Sequence, residues 1–364
     1  MEIAKLSLAF DMYGRKHDDG RVKTFSEVLE EMDPTPAGSM LDAFERQLKA
    51  RGIFTKDVPE LGLKASTVET FFLTDDNKTL FPEFVNRTIR SAYARNNILN
   101  ALVGASNTIQ GDLVKTPYLD RPARGKTKKR RITERTELPV SKISTREQAV
   151  RFFKYGRAID GSYEAIRRMT IPMFQRLIEF IVGDAALDKA EEAIYTLIKG
   201  DGNGNAAPVD SLSDLDSAAS GTLTAKAWLN FLMKFDVFSC NTLVATKDAF
   251  VDIVLTQVPN LNAQQVLSLM VNGDLNSIKM GTPQMPQGET TLLWHEDIAD
   301  AGFTGKKVVG FNKAASIEEY VEAGSVISEA QRFITNQTQI MTMSENSGFS
   351  KQFVEASRVL DLDA

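Results

Sequence analysis

The stretch TIPMFQRLIEFIVGDAALDKAEEAIYTLIKGDGNGN, residues 170–205, carries the strongest periodic signal in the chain. Pro172 suits a first helical turn. Phe174, Leu177, Ile178, Ile181, Val182, Ala185, Ala190, Ile194, Leu197 and Ile198 recur at helical spacing. Gly200 ends the run. About 28 residues at 1.5 Å rise predict a helix of roughly 40 Å, well beyond the usual mean of about 11–12 residues. Such a helix reads as a structural beam, not as one wall of a small enzyme.

On the C-terminal side, helices are expected from Trp228 to Phe238, Thr246 to Val258 and Ala263 to Met270. Short buried strands are expected at Leu243-Val244 and at Lys307-Val308-Val309-Gly310-Phe311. Residues 200–330 thus read as a compact α/β domain. Strands return from Phe333 to Thr342 and from Gln352 to Leu360, with a turn at Asn346-Ser347-Gly348 between them.

On the N-terminal side, Val150 to Gly156 is β-branched and aromatic and reads as a strand, so the capping-box pattern at Ser144–Glu147 is discounted. Before it lies a basic tract. Arg121, Arg124, Lys126, Lys128, Lys129, Arg130, Arg131 and Arg135 stand against one acid, Glu134. Extended-looking segments flank it, Val114 to Leu119 and Leu138 to Ile143. The whole reads as a projecting hairpin with a solvated or partner-bound tip.

Leu80-Phe81-Pro82 opens a further helix running to about Arg95. Residues 1–80 read as a string of short elements. Thr24-Phe25-Ser26-Glu27 is a capping box. Ser39 is the expected cap of a second helix with apolar face Met40, Leu41, Phe44 and Leu48, closed by Gly52. Helices this short are marginal alone in water. They pack either on their own chain's core or, as an arm, on a neighbouring subunit.

Composition narrows the function. The net charge is −5, yet the tract from Arg121 to Arg135 carries +7 and the remainder −12. The chain therefore does not coat nucleic acid all over, although one cationic arm remains open. A single cysteine, Cys240, excludes an intrachain disulfide and a cysteine zinc site and suggests a reducing compartment. The first residues lack a secretory signal pattern, and no apolar run is long enough to span a membrane. His17 and His295 are the only histidines.

No motif carries an obvious chemistry. Gly200-Asp201-Gly202-Asn203-Gly204-Asn205 lacks the spacing of a dinucleotide fingerprint and the ending of a phosphate loop. It imitates half of a calcium loop, but Ala206 and Leu212 stand where Gly and Glu belong. A flexible turn is the better reading. His295-Glu296-Asp297 is the one candidate acid/base group, and a lone His beside acids is more often structural. Cys240 reads as a buried apolar residue. Glu191 and Glu192 do not converge on one site. The basic tip has no aromatic between Arg121 and Leu138, so it lacks stacking platforms for single strands. It is a solvated loop, a contact to acidic patches of another copy, or a contact to phosphates without base specificity.

The ordered set of parts resembles the major capsid protein family of tailed bacteriophages, with the Hong Kong 97-type fold. The residues that carry the resemblance are Phe153-Lys154-Tyr155-Gly156-Arg157-Ala158-Ile159, Ser162-Tyr163-Glu164-Ala165-Ile166, Asp188-Lys189-Ala190, Gly200-Asp201-Gly202-Asn203-Gly204, and Gln339 to Leu360. It covers about residues 66–364. The resemblance implies an α+β fold with residues 1–80 as an N-terminal arm and 113–160 as an extended loop over a neighbour. It implies a peripheral domain from 81–112, 161–209 and 326–364, and an axial domain at 210–325.

It further implies a non-enzymatic shell subunit without cofactors, assembling through hexamers and pentamers into an icosahedral shell around double-stranded DNA. Its partners would be copies of itself, DNA without sequence specificity, and scaffolding, portal and decoration proteins. It would reside in the virion after assembly in the host cytoplasm. Residues 1–60 are too short and too apolar for the charged internal scaffold of some relatives, so any scaffold is expected to be separate. The eight basic residues from Arg121 to Arg135 become the expected inter-subunit contact. The alternatives are an encapsulin-type cargo shell, an enzyme using His295 with Glu296 and Asp297, and a stand-alone nucleic-acid-binding protein.

Overall fold

The computed structural model describes the chain except for residues 1–4, 18–22, 37, 40, 58, 60–61, 96–97, 111–149, 151, 218, 220, 237, 258–276, 281–289, 326 and 334–337. The helices are α1 (Phe25–Met32), α2 (Ala43–Ala50), α3 (Asp75–Arg95), α4 (Leu99–Leu102), α5 (Tyr163–Arg168), α6 (Ile171–Lys199), α7 (Leu212–Leu215), α8 (Ala225–Met233), α9 (Lys247–Gln257) and α10 (Lys313–Ser316). The strands are β1 (Ala105–Ile109), β2 (Phe153–Ser162), β3 (Val209–Ser211), β4 (Thr242–Thr246), β5 (Ser277–Met280), β6 (Thr290–His295), β7 (Lys307–Phe311), β8 (Ile317–Glu322), β9 (Ile327–Phe333), β10 (Thr338–Lys351) and β11 (Ser357–Asp361). The fold class is α+β.

The described residues form two compact units. The first draws on Met1–Asn97, Gly156–Leu187 and Val326–Ser344, the second on Ile98–Tyr155, Asp188–Ser325 and Glu345–Ala364.

In the first unit the short N-terminal helices find their partner in their own chain. The Thr24 hydroxyl accepts from the Glu27 amide and the Glu27 carboxylate accepts from the Thr24 amide, closing the capping box that starts α1. The cap of α2 is Asp42, whose Oδ1 accepts from the Glu45 amide at 2.8 Å; Ser39, expected in that role, bonds locally to Leu41. Helix α3 begins at Asp75, ahead of the expected Leu80-Phe81-Pro82, because the Thr74 hydroxyl accepts from the Asn77 amide; Pro82 lies inside it. Phe25, Phe44, Leu48, Phe71, Phe81 and Phe84 share a core with Phe174, Ile178 and Val182 of α6. Phe81 links the two sources, meeting Phe71 at 5.5 Å and Phe174 at 5.7 Å between ring centroids. Of the two packings open to the short helices of residues 1–80, the described residues show the one on their own chain's core. The Val68 amide donates to the Met169 carbonyl and the Ile171 amide to the Ser66 carbonyl, each at 2.9 Å, which fastens the start of α6 to this segment.

The second unit is built on a six-stranded sheet of order β3-β11-β7-β4-β6-β5. Its register sorts alternate residues to opposite faces. Val244, Val309, Phe311 and Val359 lie in one core with Ala190, Ala193, Ile194, Leu197 and Ile198 of α6. Leu243, Ala245, Val308 and Leu360 lie in the other with Leu212, Leu215, Trp228, Phe231, Ala249 and Ile253 of α7, α8 and α9. A central strand covered on both faces is buried throughout, as β4 is. Gly310 suits this close packing: a Cβ there would stand 3.1 Å from the rings of Phe231 and Phe235, which would have to give way by a few tenths of an ångström.

Two expectations at the C-terminus change. The chain does not turn at Asn346-Ser347-Gly348; β10 runs through it, with Ser347 and Gly348 paired to Val321 and Tyr320 of β8. The Asn346 side-chain Nδ2 donates to the Glu322 carboxylate at 2.6 Å, so a local turn signature is overridden by pairing to a distant strand. The last strand, β11, joins the six-stranded sheet between β3 and β7, the sheet that also holds most strands of the expected axial region. The expected helix Ala263–Met270 lies outside the described residues, as do the hairpin segments Val114–Leu119 and Leu138–Ile143.

Candidate functional site

The expected contact residues Arg121, Arg124, Lys126, Lys128, Lys129, Arg130, Arg131 and Arg135 all lie outside the described residues. The other expected chemistry can be placed. His295 ends β6 and is buried. Its Nδ1 meets the Glu296 carbonyl at 3.0 Å, and its Nε2 has no hydrogen-bond partner. Among the described residues, no hydrogen bond or ion pair joins the ring to the Glu296 or Asp297 carboxylate. Cys240 is buried, and burial pushes its thiol up to about 12, an inert state. Among the described residues, no group of three or more His, Cys, Asp or Glu is placed to hold a metal. No described helix is long and apolar enough to cross a membrane.

Gly200 to Asn205 forms a hydrogen-bonded polar knot at the end of α6, with Gly200, Asp201 and Asn205 buried and Gly202, Asn203 and Gly204 exposed. Gly200 adopts φ 82°, and a Cβ there would collide with the Asn205 side chain. Asp201 Oδ1 accepts from the Asn203 amide at 3.2 Å and from its side chain at 2.9 Å. Asn205 Oδ1 accepts from the Asp201 amide at 3.0 Å. Asp201 Oδ2 accepts from the Lys351 amide at 3.0 Å and the Ser350 hydroxyl at 3.4 Å. The oxygens a calcium ion would take are thus committed to protein donors.

Lys351 completes the knot. Its side chain is buried, and Nζ donates to the Leu197 carbonyl at 2.9 Å, in the last turn of α6. A cation there complements the helix end. Burial draws the Lys351 ammonium down to about 7, against the opposing pull of Asp201.

A second buried cation also anchors α6. Lys189 Nζ lies 2.5 Å from Glu319 of β8 and 2.7 Å from Glu345 of β10. Burial disfavours its charge, but the two carboxylates outweigh that and hold its pKa above the ordinary lysine range. Burial raises Glu192 on the same helix. Burial, then the charges of Glu192 and Glu345, raise the Tyr155 phenol. At the sheet edge, buried Asp210 accepts from Arg358 at 2.9 and 3.1 Å and from Lys234 at 2.7 Å. Burial opposes its ionisation, and these hydrogen bonds overcome it. Lys189, Lys351, Asp201 and Asp210 are thus paired within their own chain. These pairs tie α6 to β8 and β10, and β3 to β11.

The sequence showed neither Lys189 nor Lys351, because their partners lie far along the chain. It did contain one unused signal. The first half of α6 is apolar on two faces; Ile171, Phe174, Ile178 and Val182 enter the core, while Met173, Leu177, Phe180 and Leu187 are exposed.

No protein-family model matches the chain, and no curated protein matches it. Solved structures similar to it include a phage-related protein from Bordetella bronchiseptica RB50, at 12% identity over 77% of this chain and 96% of that one, TM-score 0.48. The capsid of an empty GTA particle is similar at 12% identity over 74% of this chain and 90% of that one, TM-score 0.47. The encapsulin of a holo-SrpI complex from Synechococcus elongatus PCC 7942 is similar at 8% identity over 72% and 86%, TM-score 0.45.

Proposed function

We propose that the chain is a shell subunit of the Hong Kong 97 type, a major capsid protein that assembles through hexamers and pentamers around double-stranded DNA. The observation that carries this reading is the order of parts around α6. A strand (β2), a Ser162-capped helix (α5) and a 29-residue spine lead to the Gly-Asp-Gly knot, the layered domain and the closing strands. Lys189, Lys351, Asp201 and Asp210 all find partners inside the subunit, which supports a rigid frame that needs no ligand. A shell subunit needs such rigidity and large self-complementary surfaces, not a pocket.

In this reading the basic tract from Arg121 to Arg135 meets acidic surface on neighbouring copies, since the rest of the chain carries −12. Contacts between exposed charges are screened by salt, so assembly weakens as ionic strength rises. Scaffolding, portal and decoration proteins are the further partners this reading admits.

Electron microscopy of the expressed protein tests it. Hexamers, tubes or closed particles are expected, with nuclease-protected DNA inside particles assembled in cells that replicate the cognate genome. A monodisperse monomer under all assembly-permissive conditions overturns the shell reading. A co-purifying enzyme in place of DNA converts it to an encapsulin-type cargo shell.

A further inference from the structure

Along the first half of α6, three exposed apolar residues stand at intervals of seven: Met173 (61% exposed), Phe180 (70%) and Leu187 (42%). Leu177 (41%) lies beside them. A seven-residue spacing returns to the same helix face every two turns, so these side chains form one stripe. The buried face of the same turns, Phe174, Ile178 and Val182, points into the core of the first unit. Among the described residues, the stripe therefore takes no part in the core, and Phe180 is its most exposed member.

The residues around Phe180 are arranged as a palindrome in chemistry. Seven positions before it stands Met173 and seven after it Leu187, both apolar. Four before it stands Arg176 and four after it Asp184, of opposite charge. Three before it stands Leu177 and three after it Gly183, a large residue against a small one. Two copies of the helix laid antiparallel and centred on Phe180 would set each residue against its complement. Met173 would face Leu187 of the second copy, Arg176 would face Asp184, and Leu177 would fill the space over Gly183. A parallel pairing would set Arg176 on Arg176 and Asp184 on Asp184, which repels. Asp184 also lies 3.7 Å from Arg157 of its own chain, a loose contact that leaves its side chain 40% exposed.

We propose that this stripe is a contact between two copies of the chain, with the N-terminal halves of α6 antiparallel about a twofold axis at Phe180. Such an interface is isologous, each copy offering the same patch. Four apolar side chains fall short of the roughly 800 Å² per partner that a stable complex buries. The contact is therefore weak for an isolated pair and gains from being repeated in an assembly. The inference goes beyond the shell reading and needs only two copies of this chain.

Disulfide trapping of the full chain tests the geometry, with the unsubstituted protein as control because Cys240 is buried. Phe180→Cys is expected to give a disulfide-linked dimer under mild oxidation, since helices in contact lie about 8–10 Å apart between axes and place facing positions within bridging distance. Met173→Cys alone is expected to give none, because its copies would stand about 21 Å apart along the pair. An equimolar mixture of Met173→Cys and Leu187→Cys chains is expected to link, which tests the same register without altering Phe180. All three positions are exposed, and circular dichroism checks that each variant is folded. Self-linking of Met173→Cys as readily as Phe180→Cys means a parallel arrangement and overturns the proposal. Absence of any linkage from folded Phe180→Cys and from the mixed pair also overturns it, leaving the stripe to another segment or partner. Electron microscopy of the same samples reads the shell proposal separately, because shells can form without this linkage and dimers without shells.

Discussion

The two halves of α6 are one continuous helix in two environments. From Lys189 onward its apolar residues are closed in by the six-stranded sheet, Lys189 is held between Glu319 and Glu345, and its final turn is gripped by Lys351. Before Leu187 only one face is used, and the other presents Met173, Phe180 and Leu187 to solvent. Both halves are similarly apolar in sequence. Apolar content alone therefore does not say whether a helix face serves the fold or something outside it. The C-terminal half is stabilised by its own chain, and the N-terminal half keeps surface in reserve.

The sharpest way to break this comparison is a truncation in the closed half. Ile194→Ala removes buried methyl groups from the core shared with Val244 and Val309, and a loss of about 2–5 kcal/mol is expected. Denaturant unfolding measures it; a loss below about 1 kcal/mol contradicts a tightly closed half.

The second test uses the grip at the helix end. Lys351 is depressed to about 7 in the folded protein, whereas an unfolded lysine titrates near 10.4. Between these values the unfolded chain binds more protons than the folded one, so this group makes stability rise with pH and withdraws that stability as pH falls towards 7. The buried thiol of Cys240, pushed up to about 12, acts in the opposite sense above about 8.5. The clean reading is therefore the slope between pH 7 and 8.5. Each pH unit in that range is expected to add about 1 kcal/mol in the wild type. Lys351→Met should flatten it. Equal slopes in both proteins would show that Lys351 is not held as described.

The smallest effect belongs to the open half. Phe180→Ser is expected to change monomer stability by no more than about 0.5 kcal/mol, as substitutions of exposed side chains usually do. Its signature is weakened self-association, read by analytical ultracentrifugation at high protein concentration. A large stability loss would place Phe180 in the fold and remove the contrast between the halves.

The spine itself was legible because Pro172, an uninterrupted helical period and Gly200 all agree. Strands β4, β6 and β7 belong to a sheet buried on both faces, and β4 and β7 showed as short apolar runs. Other strands were hidden. Strand β3, which pairs with β11, is three residues long, and β1, which pairs with β8 in the other sheet, is Ala-Ser-Asn-Thr-Ile, largely exposed and without an alternating pattern. Asn346-Ser347-Gly348 misled because turn chemistry is local, while the pairing that straightens it comes from residues some 25 positions earlier in the chain. Pro82 misled in the same way: it resembles a first-turn proline, yet Thr74 caps the helix a full two turns sooner. The clusters around Lys189 and Lys351 join residues separated by more than a hundred positions, which no spacing rule connects.

The knot at the end of α6 also imposes a schedule. Asp201 accepts from a backbone amide 150 residues further along the chain. At roughly 5–20 residues per second, a ribosome needs on the order of 10–30 s to supply that partner after Asp201 has been made. During this interval the glycine-rich turn has only its internal hydrogen bonds, and the last carbonyls of the helix face water. The two strands that close over it, β10 and β11, lie far downstream in the chain. A nascent chain therefore acquires its finished spine only after both have been made.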